Sequence, residues 1–415
     1  MKNNIIASVL VLSSILLLFM KCTKTPDEDL PKEPVEIELT TKQIALIESE
    51  NSFAFDIFRE VAENEGSSQN IIISPLSISC ALSMTLNGAD GTTRDAMLTA
   101  LRMNGITPEE INSSYKDLTE ALLTVDKRVL MTIANSVWTE DRITPKQTFI
   151  DILEDYYNAE SKEFSITDPT APDKINEWIE DNTNGLIKEM IDKLEDNTVM
   201  LIINAIYFKG KWKLQFDEKD TDQELFYKPG GTSVEVPMMK QTDDFKAYDG
   251  DGFILAEFPY GQGNFVMDII LPDARDGVAT LLPSITDDTI SGWLQQMMTR
   301  ETDVYIPRFK YGFRKKLKDI LTDMGMGIAF TDDADFTNIT EYPPLLINDV
   351  IHQAFIETNE EGTEAAAATV VEIGLTSMPL EPLVFNADHP FIYIIRETST
   401  NSIIFMGIVA DPLTE

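Results

Sequence analysis

An α+β fold with large sheets is what this sequence predicts, on three observations. Helical spacing of apolar residues marks segments mainly in the N-terminal half, whereas short β-branched and aromatic runs with strand character crowd the C-terminal half. The two kinds mix without the strict βα alternation of a doubly wound fold. No linker splits Thr40–Glu415 internally, and no repeat recurs at a solenoid period.

The elements follow in chain order. Thr40–Ala62 places Ile44, Leu46, Ile47, Phe53, Phe55, Ile57, Phe58 and Val61 at helical spacing. Asn70–Ser79 opens as a β-branched run stopped by Pro75, and Ile78–Asn87 reads as a helix closed by Gly88. Val129–Trp138 reads as a strand and Lys174–Leu194 as a helix. Val199–Phe208 is Ile-rich and predicts a strand buried on both faces. Phe253–Pro259 and Phe265–Leu271 flank the turn Tyr260–Asn264 as two strands. Val304–Phe309, Phe355–Glu357, Leu383–Phe385, Phe391–Glu397 and Ser402–Val409 complete the strands.

Charge excludes one class of function. Against 33 basic residues stand 70 acidic ones, a net charge of −37. Nucleic-acid binding needs clustered Lys and Arg on phosphates, so no nucleic-acid partner is expected. The charge supplies solubility and mutual repulsion, and could steer a basic partner. The 2 cysteines and 2 histidines leave little material for a disulfide framework, a metal site or His-based catalysis. No metal and no cofactor is expected. Cys80, in the apolar stretch Ile78–Met84, reads as a buried structural thiol.

The N-terminus reads as an export signal. Lys2 precedes Ile5–Met20, an apolar or small-residue run of 16, which fits a signal-peptide core and is short for a membrane span. Cys22 follows at once, as in a bacterial lipoprotein signal whose Cys becomes lipidated, although Lys21 departs from the usual small residue. Cleavage and simple secretion is the alternative. Residues 1–22 are thus assigned to the signal with its candidate lipidated Cys22. Residues 23–39, acidic and carrying Pro26, Pro31 and Pro34, are assigned to a tether, and 40–415 to one domain. A lipid anchor would be the chain's one link to a membrane.

Enzyme motifs are missing. The sequence has no G-x-S-x-G elbow, H-E-x-x-H pair, P-loop or dinucleotide fingerprint. Asp249–Gly252 looks faintly like a calcium loop but lacks the distal Glu, and reads as a hairpin turn.

One segment behaves unlike the rest. Glu360–Pro382 begins with acids and a Gly and ends among prolines, as an exposed loop would. Yet Thr363, Ala365, Ala367, Thr369, Val371, Ile373 and Leu375 alternate with Glu364, Ala366, Ala368, Val370, Glu372 and Gly374. Period-two alternation with β-branched residues is the pattern of a half-buried strand. No Pro interrupts Gly362–Met378, so every N–H there could join a ladder. A plain edge strand, or a helix favoured by the four consecutive alanines, would also fit this segment taken alone.

Other blocks of sequence decide between these readings. The segment Glu360-Glu-Gly-Thr-Glu-Ala-Ala-Ala-Ala-Thr369 resembles the hinge of the serpin family almost letter for letter. Asn51–Phe55, Asn70–Ser79, Asn87–Thr92, Asn204–Trp212, Val236–Met239, Phe258–Tyr260, Ile270–Pro272, Ile306–Phe309, Phe385–Phe391 and Phe405–Gly407 resemble further family blocks, in order and at family spacing. The resemblance covers about Thr40–Pro412.

It implies a serpin fold, with three β-sheets, about nine helices and an exposed reactive-centre loop at about 360–382. It implies inhibition by suicide: a target protease attacks the loop, and the cut loop inserts into the central sheet before the acyl-enzyme is released. Family spacing puts the scissile bond at Thr376–Ser377, within one or two residues, with Leu375 the nearest alternative. Thr363–Ile395 holds no Lys or Arg, which disfavours trypsin-like targets. Elastase-like or subtilisin-like serine proteases fit better, and papain-like cysteine proteases remain possible targets.

By the same resemblance the loop hinge is Glu360, Gly362, Thr363, Glu364, Ala365, Ala366, Ala367, Ala368 and Thr369. Ser74, Asn204 and His352 match the polar cluster beneath the sheet, and Trp212, Arg308 and Glu360 the point where insertion starts. Asp90–Lys127 is mixed and acidic where heparin-binding relatives are basic, so heparin activation is not expected. A monomer is expected. The alternative is a non-inhibitory serpin-fold carrier or chaperone. A hydrolase would need a nucleophile–base pair that the sequence does not offer.

Overall fold

The computed structural model describes residues 31, 33–341, 344–362 and 381–414. In chain order the helices are α1 (Thr41–Glu65), α2 (Pro75–Leu86), α3 (Gly91–Ala100), α4 (Pro108–Thr124), α5 (Gln147–Tyr157), α6 (Ala171–Asn182), α7 (Val278–Leu281), α8 (Asp287–Leu294) and α9 (Lys318–Leu321). The strands are β1 (Ile71–Ile73), β2 (Val129–Glu140), β3 (Ala159–Phe164), β4 (Met200–Gly210), β5 (Asp222–Tyr227), β6 (Ser233–Asp249) and β7 (Phe253–Tyr260). They continue with β8 (Phe265–Pro272), β9 (Met298–Pro307), β10 (Phe309–Lys316), β11 (Ile351–Thr358), β12 (Leu383–Asn386), β13 (Phe391–Glu397) and β14 (Ile403–Val409).

Local chemistry explains the boundaries. Thr40 caps α1 in a capping box with Gln43, satisfying N–H groups that the first turn leaves free. Ser74 caps α2 with Pro75 at its first turn, so this helix starts three residues before the expected Ile78. The helix expected over Lys174–Leu194 stops at Asn182: Asn184 and Gly185 both take positive φ, and Leu186–Leu194 is irregular. The strand expected over Val304–Phe309 divides at Arg308, where β9 ends and β10 begins. Asp249–Gly252 is the β6–β7 turn, closed by the Gly250 N–H on the Phe253 carbonyl at 2.9 Å.

The strands form three sheets. One has nine strands, ordered β1-β14-β13-β8-β7-β6-β9-β12 with β5 on β6. Its central strands, β8, β13 and β14, are buried along their whole length and carry the main core with α1 and α2. The second sheet is β3-β2-β4 and the third is the antiparallel pair β10-β11. A smaller core of Trp138, Ile175, Trp178, Ile179 and Ile203 lies between α6 and the β2–β4 pair. Residues 33–39 lead into α1 and are tied to the body. Val35 N–H donates to Asn264 Oδ1 at 2.9 Å, and Asn264 Nδ2 donates back to the Val35 carbonyl at 2.7 Å.

Candidate functional site

The site lies between the two smaller sheets. Among the described residues no ladder joins β4 to β11. A cavity of about 350 Å³ is lined by residues of both strands, by the α2 residues beneath and by Leu345–Val350. This corrects one expectation about β4. Met200, Leu201 and Ile202 are only half-buried, because one edge of β4 pairs with β2 while the other borders the cavity.

At one end of the pair the chain doubles back. Asn359 and Gly362 exchange backbone hydrogen bonds of 2.9 and 3.1 Å around the corner Glu360–Glu361. Gly362 is bridged antiparallel to Asn359, just past β11, and antiparallel to Lys211, just past β4. It therefore stands between the two strands that do not pair with each other. Its φ of +117° favours glycine, and a Cβ there would come within 2.4 Å of the Gly210 carbonyl and 2.5 Å of the Trp212 nitrogen.

Several side chains hold this turn. Trp212 N–H donates to the Glu361 carbonyl at 2.8 Å, and its indole Nε1 to the Asn359 carbonyl at 2.9 Å. The Trp212 ring stacks on Tyr260, centroids 4.3 Å apart. Phe216 N–H donates to the Glu360 carbonyl at 3.0 Å. The Glu360 carboxylate, 3 % exposed, accepts from Arg308 Nε at 2.7 Å and from Thr221 Oγ1 at 2.5 Å. Burial works to raise its pKa, but the Arg308 and Thr221 hydrogen bonds prevail and hold it below the ordinary carboxylate range.

A second cluster lies beneath the pair and contains no charge. Ser74 N–H donates to His352 Nε2 at 3.0 Å, and Ser74 Oγ donates to the Ile404 carbonyl at 2.8 Å. Burial drives the His352 pKa down to about 3, so the ring is a neutral acceptor at physiological pH. Asn204 joins less directly. Its Nδ2 donates to Asn135 Oδ1 at 2.7 Å, and its carbonyl accepts from Ser77 Oγ at 3.4 Å.

The sequence-derived residues thus fall into two groups: Ser74 with His352 and, through Ser77, Asn204; and Trp212, Arg308, Glu360 and Gly362. Thr363, Glu364, Ala365–Ala368, Thr369, Thr376, Ser377 and Cys22 lie outside the described residues. Thr221, Ser77, Asn135 and Asn359 were not anticipated. Short polar residues in turns and strand interiors carry no pattern that would single them out.

Comparison with known proteins supplies the family. The model of the family described as "Serpin (serine protease inhibitor)" matches residues 48–412. The chain is a serpin. An uncharacterized serpin-like protein of Thermococcus kodakarensis is 34% identical over 407 residues, covering 94% of this chain and 93% of that protein. Human serpin B3 is 34% identical, covering 89% and 100%. Human thyroxine-binding globulin, solved in complex with thyroxine, superposes with a TM-score of 0.82 at 26% identity, covering 90% and 100%. The serpin fold, with three sheets and nine helices among the described residues, agrees with the sequence expectation. Serpins are mostly protease inhibitors rather than enzymes.

Proposed function

We propose that this serpin is an irreversible suicide-substrate inhibitor of elastase-like or subtilisin-like serine proteases, reaching papain-like cysteine proteases as well. One observation carries this reading. Gly362, the last described residue before the loop, is bridged to both edges of a gap in which no ladder is formed among the described residues. Unpaired strand edges carry a row of free N–H and C=O groups. A segment patterned as a strand, such as Thr363–Leu375, would satisfy both edges at once. A protease acylated by the loop would be carried with it, and its active site distorted, before water releases it.

The finer features belong to the same proposal. Residues 1–22 act as an export signal, with Cys22 lipidated; residues 23–39 act as a tether whose last stretch, 33–39, is fastened to the inhibitory domain 40–415 through Val35 and Asn264. The protein works as a monomer in the cell envelope or outside the cell, without heparin. Thr376–Ser377 is the reactive bond, with Thr363–Thr369 as the hinge that inserts first.

A second reading, a non-inhibitory carrier, rests on the likeness to thyroxine-binding globulin, which was solved with thyroxine bound. The small residues Ala365–Ala368 oppose it, because they suit a strand that must slip between others.

The test is incubation with pancreatic elastase and with subtilisin, read by SDS gel and by mass spectrometry of the released peptide. A covalent complex with a new N-terminus within two residues of Ser377 is expected. Cleavage without a complex, and without a gain in thermal stability of the cut protein, would favour the carrier. Palmitate-analogue labelling of wild type against Cys22→Ala checks the anchor.

A further inference from the structure

A carboxylic acid lies in the core with no ion pair among the described residues. Glu50 is on the buried face of α1, between Ile47 and Ala54 and next to Asn51. It is 7 % exposed. Its Oε1 accepts from the Tyr115 hydroxyl of α4, and Tyr115 Oη lies 2.5 Å from Ser79 Oγ of α2. One side chain from each of three helices therefore meets at one point.

Of the elements packed on α1, α9 carries the charged Lys318 and Asp319. From α2 come Ser79 and Cys80, from α4 Tyr115, and from α5 Tyr157, which senses the same carboxylate. α8 presents Asp287, which lies by the exposed Glu48 instead. The β14 side approaches through Asn51 and the Asn401 carbonyl. The Cys and both Tyr side chains are neutral near pH 7, burial pushing the thiol and phenols upward. Burial likewise raises Glu50 from its ordinary 4.5 to about 7, against the lowering effect of the Tyr115 and Ser79 hydrogen bonds.

The cluster is connected to the sheet. Ser79 shares α2 with Ser74 and Ser77, which hold His352 and the Asn204 backbone. Cys80, the next residue, lies 3.8 Å from Asn135 Oδ1, which accepts from Asn204. A shift of α2 against α1 and α4 would therefore be felt on both sides of the gap.

We propose that Glu50, Tyr115 and Ser79 form a proton-sensitive brace beneath the split sheet, in which the packing of α1, α2 and α4 is favoured while Glu50 is protonated and disfavoured once a charge must be buried there. The sign follows from burial. A folded-state pKa above the unfolded value gives stability that is complete below about pH 4.5 and lost as pH rises through 7. The full swing corresponds to a change on the order of a hundredfold in the unfolding equilibrium. Loop insertion in the uncut protein should then speed up from pH 6 to pH 8.

Two measurements test this on the full chain. Infrared difference spectra of wild type against Glu50→Gln should show a protonated-carboxyl band at pH 6 that is gone by pH 8. Absence of that band at pH 6 would overturn the brace, whatever the protein inhibits. Spontaneous conversion to the inserted form, followed on native gels, should run several-fold faster at pH 8 than at pH 6 in wild type and show no such difference in Glu50→Gln. This kinetic arm rests on the inhibitory reading above. An equal pH dependence in both proteins would sink the proposal. Tyr115→Phe serves as a second variant if Glu50→Gln fails to fold, and should move the infrared transition to higher pH.

Discussion

The two ends of the gap between β4 and β11 are held by opposite chemistry. Beneath the gap, Ser74 and His352 are both buried and neutral, and their bond is an ordinary N–H to imidazole contact of 3.0 Å. At the turn, Arg308 is 41 % exposed while its partner Glu360 is 3 % exposed. A neutral network suits a buried junction, because an ion pair there would need excellent geometry to offset desolvation. A charged pair suits the rim, where water solvates the guanidinium and the carboxylate gains charge-assisted bonds. The lower cluster joins its elements by neutral hydrogen bonds, with Asn204 Oδ1 left without a partner among the described residues, whereas the upper one positions a turn.

Gly362 provides the largest expected effect and breaks the upper end directly. Gly362→Val adds a Cβ at φ +117° against the backbone of Gly210, Lys211 and Trp212, none of which can swing away. Strain and overcrowding together should cost about 3–5 kcal/mol at the turn. Hydrogen exchange should show the Trp212 and Phe216 amides losing protection while the Ser74 amide keeps it. Equal loss at both ends would show that the gap has no separate ends.

Much of this architecture was legible in the sequence, for physical reasons. Thr40 with Gln43 is a capping box, and β8, β13 and β14 are apolar runs because both of their faces are covered. The start of β10 was absorbed into the strand expected over Val304–Phe309, although Phe309, Tyr311 and Phe313 alternate with Lys310, Gly312 and Arg314 as a half-buried strand does. Leu186–Leu194 misled in the other direction: its apolar residues pack against the small core without forming a helix. The sites are harder still. Ser74 and His352 are 278 residues apart, and only family resemblance put them on one page. Glu50 did leave a signal, an acid at a core position of α1 among Leu46, Ile47 and Ala54, which hydrophobic patterning alone passes over.

The lower end is sharpened by pH. The folded His352 pKa of about 3 lies below the ordinary 6.5, so the unfolded chain takes up a proton that the native state refuses. Stability from this residue is complete above about pH 6.5 and falls on acidification toward 3. Glu50 acts in the opposite sense between about 4.5 and 7, so wild type should show a flattened profile over the shared range. His352→Leu removes the acid-side slope and also leaves the Ser74 N–H without an acceptor, costing about 1–3 kcal/mol at neutral pH. Chemical denaturation at pH 5 and pH 7.5 separates the two contributions. A variant that keeps the wild-type acid slope would show that His352 is not its source.

The smallest effects test whether the upper end is held by charge or by a hydroxyl. Arg308→Ala leaves a buried carboxylate with only neutral donors, Thr221 and the backbone, and should speed conversion of the uncut protein about tenfold, or about 1.4 kcal/mol. Because Glu360 is held below its ordinary value, its contribution is present above about pH 4.5 and lost as pH falls through the folded value. Lowering the pH from 6 to 3.5 should therefore narrow the gap between wild type and Arg308→Ala. Thr221→Val removes one neutral donor at 2.5 Å and leaves the guanidinium in place. It should cost about 0.5–1.5 kcal/mol, and conversion should speed up less than in Arg308→Ala. If Thr221→Val proves the larger of the two, the turn is positioned by the β4–β5 connection, and the ion pair is only its solvated rim.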